Sequence, residues 1–253
     1  MDIALRDRFM MLWQKYFGLE ELPLAFFYTD RETDGPFVAA SQKWRCMVSE
    51  LARAREGGET LRFGSGSFAC MGGKRYAGYS DRLRPKFEYF LSCGIPGEME
   101  GERYKKTPEL VRELLARAPT FRAPKPYLIV KRWDKLAADD DPEVVVFFAR
   151  PDALSGLFTL SGYDTADDEA VIAPFGAGCS TIIQRPYLER ERPAPRAVLG
   201  LFDVSARPSV PADRLSFAVP YNKLLSMMND MDESFLITES WAAVRKRLGS
   251  DRG

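Results

Sequence analysis

The sequence predicts an α/β fold, with mixed α+β as the open variant: a single compact domain in which a central mixed sheet is flanked by helices. Three observations lead there. Short apolar runs alternate with stretches of helical period along the whole chain. One run, Val144–Phe148, is continuously apolar, as suits a strand covered on both faces. The 253 residues are 45% apolar and 28% charged, enough for one substantial core.

The elements follow in order. "MDIALRDRFMMLWQKYF" places Leu5, Phe9, Leu12, Trp13, Tyr16 and Phe17 on one stripe, predicting a core-facing first helix over an interfacial membrane helix. "PLAFFYT" (Pro23–Thr29) reads as a strand. "SQKWRCMVSELARAREGG" (residues 41–58) reads as a helix with a serine start and a Gly-Gly stop. "TLRF" is a short strand entering "GSGSFACMGGKRYAGY", and "DRLRPKFEYFLSCG" (residues 81–94) resembles a helix ending at Cys93-Gly94. In "TPELVRELLARAP" Thr107 caps a helix and Pro108 takes its first position. "APTFRAPKP" (residues 118–126) holds three prolines, cannot continue a helix, and marks a soft internal division. Strands are expected in "YLIVKRW", "EVVVFFA", "RAVLGLFDV" and "RLSFAVP"; helices at Asp152–Leu160, Cys179–Arg185, Tyr221–Met231 and Thr238–Leu248. "FARPDAL" and "FAVPYNKL" both run strand, proline, helix, an echo that proline's frequency at helix starts is enough to explain.

Lysine plus arginine equals aspartate plus glutamate at 36 each, so no net field draws the molecule to nucleic acid or anionic lipid. Neither nucleic acid nor membrane is expected as a partner; a homodimer is compatible with the aromatic content. No apolar run approaches the roughly 20 residues that span a bilayer. The N-terminal stretch does not read as a targeting signal, and the cytoplasm is the expected compartment, where structural disulfides are unusual. The chain has no histidine. Ser-His and Cys-His nucleophile pairs, histidine-ligated metals and imidazole acid–base chemistry are therefore excluded within it.

"GSGSFA" (residues 64–69) fits a loose G-x-G-x-x-A, but no acidic residue ends a second strand about 20 residues on, so a tight turn is the better reading than a nucleotide site. "ADDDPE" and "DTADDE" lack the spaced ligands and central glycine of a calcium loop and read as solvated turns. In "LFDVSARP", Asp203, Ser205 and Arg207 alternate past an apolar strand and share a face near its carboxyl end, where open α/β sheets bind ligands; the competing reading is an Asp–Arg pair tying down a loop.

The four cysteines, Cys46, Cys70, Cys93 and Cys179, contain no C-x-x-C pair, which disfavours an all-thiolate zinc site and ferredoxin-type motifs. An iron–sulfur cluster is larger than one ion and can gather thiolates from separated elements. Cys70 precedes Gly72 and Gly73, Cys93 precedes Gly94, and Cys179 follows Gly176 and Gly178; such glycines let backbone N–H groups approach sulfur. A helix start at Cys179 favours its thiolate, and Arg45, Lys74 and Arg75 could offset cluster charge. The competing reading is four small buried hydrophobes.

"CMGGKRYAGY" (residues 70–79), "APFGAGCSTI" (residues 173–182) and "PRAVLGLFDVSARPSVPADRLSFAVP" (residues 195–220) resemble a bacterial and archaeal family, domain-of-unknown-function family 169, also called the archaeal conserved region group. The resemblance spans most of the chain and implies one shared fold but no established reaction. The expectation drawn is an iron–sulfur cluster on Cys46, Cys70, Cys93 and Cys179, lying between the two halves, with a redox or sensing role and a redox partner. The alternative is a pocket for a small anionic molecule lined by Gly72, Gly73, Lys74, Arg75, Gly176, Gly178, Ser180, Asp203 and Arg207, with structural cysteines. A third reading is a lone reactive Cys179 activated without histidine.

Overall fold

The structure is a computed structural model that describes residues 1–32, 35–43 and 45–249. A helix α1 (Ile3–Phe17) leads into strand β1 (Leu24–Thr29), helix α2 (Met47–Gly57), β2 (Leu61–Phe63), and the short helices α3 (Met71–Tyr76) and α4 (Phe87–Phe90). Helix α5 (Pro108–Arg117) precedes β3 (Tyr127–Arg132) and β4 (Val144–Ala149), then α6 (Pro151–Ser161) and β5 (Val171–Ile172). A widened π turn (Ser180–Gln184) runs into α7 (Arg185–Glu189), followed by β6 (Ala197–Gly200), β7 (Leu215–Pro220), α8 (Tyr221–Asp230) and α9 (Glu239–Leu248).

The seven strands form one mixed sheet in the order β2-β3-β1-β4-β7-β6-β5. Every pairing is antiparallel except β5–β6. Strands from both sides of residues 118–126 interleave in it, since β1 lies between β3 and β4. β4 is covered on both faces, as its unbroken apolar run requires. Val145, Phe147 and Ala149 join a core with α1, α6, α8 and α9, whereas Val144, Val146 and Phe148 join a second core with α2, the π turn and α7. The first helix faces the core: Phe9, Trp13 and Phe17 stack in sequence along it, with Trp13 and Phe17 rings 4.3 Å apart. Among the described residues no helix is long and apolar enough to cross a membrane.

Several elements differ from the sequence expectation for local reasons. The helix expected over residues 41–58 starts at Met47, with Cys46 as its N-cap; Trp44 lies outside the described residues. The helix expected over residues 81–94 shrinks to α4, because Pro85 cannot donate to a helix and Lys86 takes φ +59°. The run 196–204 stops as a strand at Gly200, where Leu201 adopts φ +65° and turns the chain. The helix expected at Cys179–Arg185 is the π turn, in which the Arg185 N–H bonds the Ser180 carbonyl. Pro186 has no N–H for the Ile182 carbonyl and its ring would crowd it, so the wider turn relieves the helix there.

Candidate functional site

The second core, on the face carrying α2, α3 and α7, is where the sulfur atoms gather. Cys46 caps α2, Cys70 caps α3, and Cys179 stands one residue before the π turn. The Cys70 Sγ accepts the Gly73 N–H at 3.5 Å, whereas the Cys46 sulfur takes no cap hydrogen bond at α2 and the Ser49 N–H bonds the Cys46 carbonyl. Cys46 and Cys70 are half-buried and Cys179 is buried. Burial pushes the Cys179 thiol well above its ordinary range, and charge on Cys70, Cys46 or Asp203 would push it further. Burial likewise raises Cys46, with Cys70 adding to the effect. Three thiols from three distant segments are thus mutual neighbours, and burial favours the protonated thiol at Cys46 and Cys179.

Glycine explains the convergence, by packing rather than by opening N–H groups to sulfur. A Cβ on Gly73 would stand 3.0 Å from the Met47 Cβ and 3.3 Å from the Phe68 ring, so α3 lies directly on the first turn of α2. A Cβ on Gly178 would stand 2.9 Å from Leu201, 3.1 Å from Ala206 and 3.4 Å from Val48, again against the first turn of α2. Both glycines therefore let a cysteine-bearing segment close onto the element that Cys46 caps. Gly72 brings no such contact beyond the Cys70 sulfur itself, 3.7 Å from its notional Cβ.

Cys93 is elsewhere. It is exposed, and its sulfur bonds only its own neighbours, Gly94 O at 3.5 Å and Ser92 Oγ at 4.0 Å. Gly94 has φ +74°, and a Cβ there would meet the Met99 carbonyl at 2.4 Å. It serves the tight turn Ile95–Met99, not a ligand. The structure thus brings together Cys46, Cys70 and Cys179 and leaves Cys93 exposed beside the Ile95–Met99 turn.

Asp203 fixes the segment that carries Cys179. Its Oδ2 accepts the Gly178 N–H at 3.1 Å; its Oδ1 accepts Tyr104 OH at 3.1 Å, the Ser205 N–H at 3.1 Å and Ser205 Oγ at 2.8 Å. The buried Leu201, at positive φ, supplies the turn that brings Asp203 back over Gly178, a conformation that costs a bulky residue roughly 1–2 kcal/mol. The Arg207 N–H bonds the Asp203 carbonyl at 3.2 Å, but its guanidinium does not reach the Asp203 carboxylate. It donates to the carbonyls of Pro211, Ala212 and Arg214 and holds its own loop. Its alternation with Asp203 and Ser205 is lost because the strand ends before them. Ser180 Oγ, buried, donates to Gln184 Oε1 at 3.0 Å inside the π turn, and Gly176 packs against Ser180. Arg75 donates to the Asp81 carbonyl, whereas Lys74 is half-buried with no ion pair among the described residues. Arg45 pairs with Glu50 at 2.7 Å, beside a water-sized cavity of about 10 Å³ that Cys70, Ser41 and Ser67 also line.

The sequence did not point to Tyr76, Tyr104 or Arg185. Tyr76 lies within the motif that begins at Cys70, six residues on, and was within reach of sequence reasoning. Tyr104 meets Asp203 across 99 residues, and no local pattern announces that. Among the described residues no group of three or more thiol and carboxylate side chains stands at the spacing a single metal ion needs.

Fold and site together define a mixed α/β protein with a semi-buried three-thiol centre on one face of its sheet. The chain belongs to the DUF169 family, described as uncharacterised ArCR, whose family model matches residues 14–230. All three cysteines of the centre fall inside that span. No curated protein and no solved structure matches the chain.

Proposed function

We propose that this protein holds an iron–sulfur cluster on Cys46, Cys70 and Cys179 and serves a redox or sensing role in a reducing cytoplasm, exchanging electrons with a redox partner. One observation carries the reading: three sulfurs from three separated segments meet on one side of the sheet, drawn there by close packing at Gly73 and Gly178. No preformed set for a single metal ion exists among the described residues, and a multi-atom cluster is the larger occupant that could bridge sulfurs from separate segments. The Gly73 N–H faces the Cys70 sulfur and suits thiolate charge. A cluster supplies one-electron storage. The chain's own part is to present the thiolates, exclude water from Cys179 and hold the Cys179 segment through Asp203. Three protein ligands would leave one iron open to an outside ligand.

Anaerobic purification with iron and acid-labile sulfide analysis tests this. Stoichiometric iron and sulfide with a visible absorption band are expected. Cys46→Ser, Cys70→Ser and Cys179→Ser should each lose the band, and Cys93→Ser should keep it. Colourless protein that cannot be reconstituted with iron and sulfide overturns the proposal.

A further inference from the structure

Arg185 opens α7 immediately after the π turn and is half-buried; its backbone N–H closes that turn, yet among the described residues its guanidinium donates no hydrogen bond and forms no ion pair. Burial disfavours its charge, and the groups that act on it are Tyr76, Glu189 and Arg196. Glu189 is already engaged, by Arg192 at 3.3 Å and by two nitrogens of Arg196 at 2.9 and 2.7 Å. Tyr76 is also half-buried and its hydroxyl has no hydrogen-bond partner among the described residues. Its neighbours are Cys179, Arg75, Arg185 and Asp203. Asp203 is engaged by its four donors, and Arg75 by a carbonyl.

The neighbourhood therefore holds two unspent donors, a guanidinium and a phenol, and every nearby carboxylate is committed elsewhere. Neither the guanidinium nor the phenol is among the polar atoms sealed from solvent without a partner, so both stay open to a ligand, and an oxyanion can take two guanidinium N–H groups side by side. We infer that Arg185 and Tyr76 form the binding site of a small oxyanion, a carboxylate or phosphate group, held beside Cys179. Arg185 provides the charge and the paired donors, and the Tyr76 hydroxyl donates a further hydrogen bond from the thiol side. The sequence had placed anion binding on the glycine loops with Lys74, Arg75 and Ser180, and on Asp203 and Arg207; Arg207 is consumed by carbonyls, and Arg185 is a cation near Tyr76 with no acceptor among the described residues. The site stands whether or not the thiols carry a cluster.

The test uses iron-free full-length protein, so its outcome is separate from that of the iron analysis. Calorimetric titration with acetate, malonate and inorganic phosphate, against sodium chloride at equal ionic strength, should show saturable binding of at least one oxyanion. The arm that saturates identifies carboxylate or phosphate as the ligand class. Arg185→Gln should weaken that binding about tenfold or more, and Tyr76→Phe about two- to tenfold. On the wild-type protein, modification of Arg185 by an arginine-specific dicarbonyl, read by peptide mass, should be slowed by the same anion. Absence of saturable binding by all three anions, unchanged affinity in Arg185→Gln, or modification of Arg185 indifferent to the anion overturns the inference.

Discussion

Replacing Asp203 by asparagine tests the joint that carries Cys179. The side chain keeps its shape and loses its charge, so steric effects are small. Four donors now meet one oxygen and one NH₂. The cheaper orientation turns the oxygen toward Tyr104 and Ser205, which leaves the new NH₂ facing the Gly178 N–H, donor against donor. That contact replaces a charge-assisted bond worth about 1.5–3 kcal/mol, and the remaining three bonds weaken toward the neutral value of about 1 kcal/mol each. Ser205 is exposed and its bonds count for less. A total near 3 kcal/mol follows, and for a chain of this size that lowers Tm by about 6–12 °C. The loss is also local, because the Gly178 bond holds the residue next to Cys179. Alkylation of Cys179 by iodoacetamide, read cysteine by cysteine from peptide masses, should accelerate about tenfold or more, as each 1.4 kcal/mol of easier opening is about tenfold. Cys93, already exposed, is the internal reference and should change far less. A variant that melts within about 1 °C of wild type, with Cys179 equally protected, would refute the assignment of Asp203 as the anchor.

Three further outcomes are expected. Glu20, its side chain 1% exposed, pairs with both Arg150 and Arg214. Glu20→Gln removes the charge the two guanidinium groups share, while Arg150 keeps the Leu248 carbonyl and Arg214 the Phe148 carbonyl and Glu21; it should cost about 1–3 kcal/mol in urea unfolding, with a change below about 0.5 kcal/mol counting against that clamp. Gly178→Ala drives a methyl group to 2.9 Å from Leu201 and should cost about 1–3 kcal/mol, read as a shifted urea midpoint, while Gly72→Ala, with no close contact beyond Cys70, should be milder. Burial holds the Tyr28 phenol well above its ordinary range, and in the native state it donates to the Ala77 carbonyl at 3.0 Å. The unfolded chain thus releases that proton first, so this contribution is complete below about pH 10 and is lost as pH rises further; Tyr28→Phe should flatten the fall in stability between about pH 10 and 12, and an unchanged slope would rule the phenol out.

What the sequence made legible was whatever is decided within a turn or a strand. Thr107 and Pro108 announce α5 through local capping, and its bounds agree. β4 announces itself by an apolar run that only double coverage explains, and its alternate residues indeed enter different cores. β5 has two residues and exists because β6 lies beside it, so no periodicity could show it. Arg207 was misplaced because alternation assumes a continuing strand, and the positive φ of Leu201 ends that assumption six residues earlier. Arg185 was passed over because an arginine on a short helix is ordinary in sequence. What distinguishes it is the commitment of every neighbouring carboxylate to another donor, a property of the folded surroundings.

The glycine–cysteine pairing was a sound signal with the wrong mechanism attached. Glycine beside sulfur was expected to expose N–H groups; only Gly73 donates one to a cysteine, and at a long 3.5 Å. The larger effect is the absence of side chains at Gly73 and Gly178, which seats two chain segments on the first turn of α2. At Cys93 the same pairing marks a turn and no convergence, because Gly94 spends its freedom on positive φ. The two uses separate on one criterion. A glycine whose notional Cβ strikes another element's side chains brings elements together, and one whose Cβ strikes its own hairpin only folds the chain back. By that criterion Cys70 and Cys179 belong to one centre with Cys46, and the asymmetry between Cys93→Ser and the other three serine variants becomes a test of how the glycines work as well as of what the sulfurs hold.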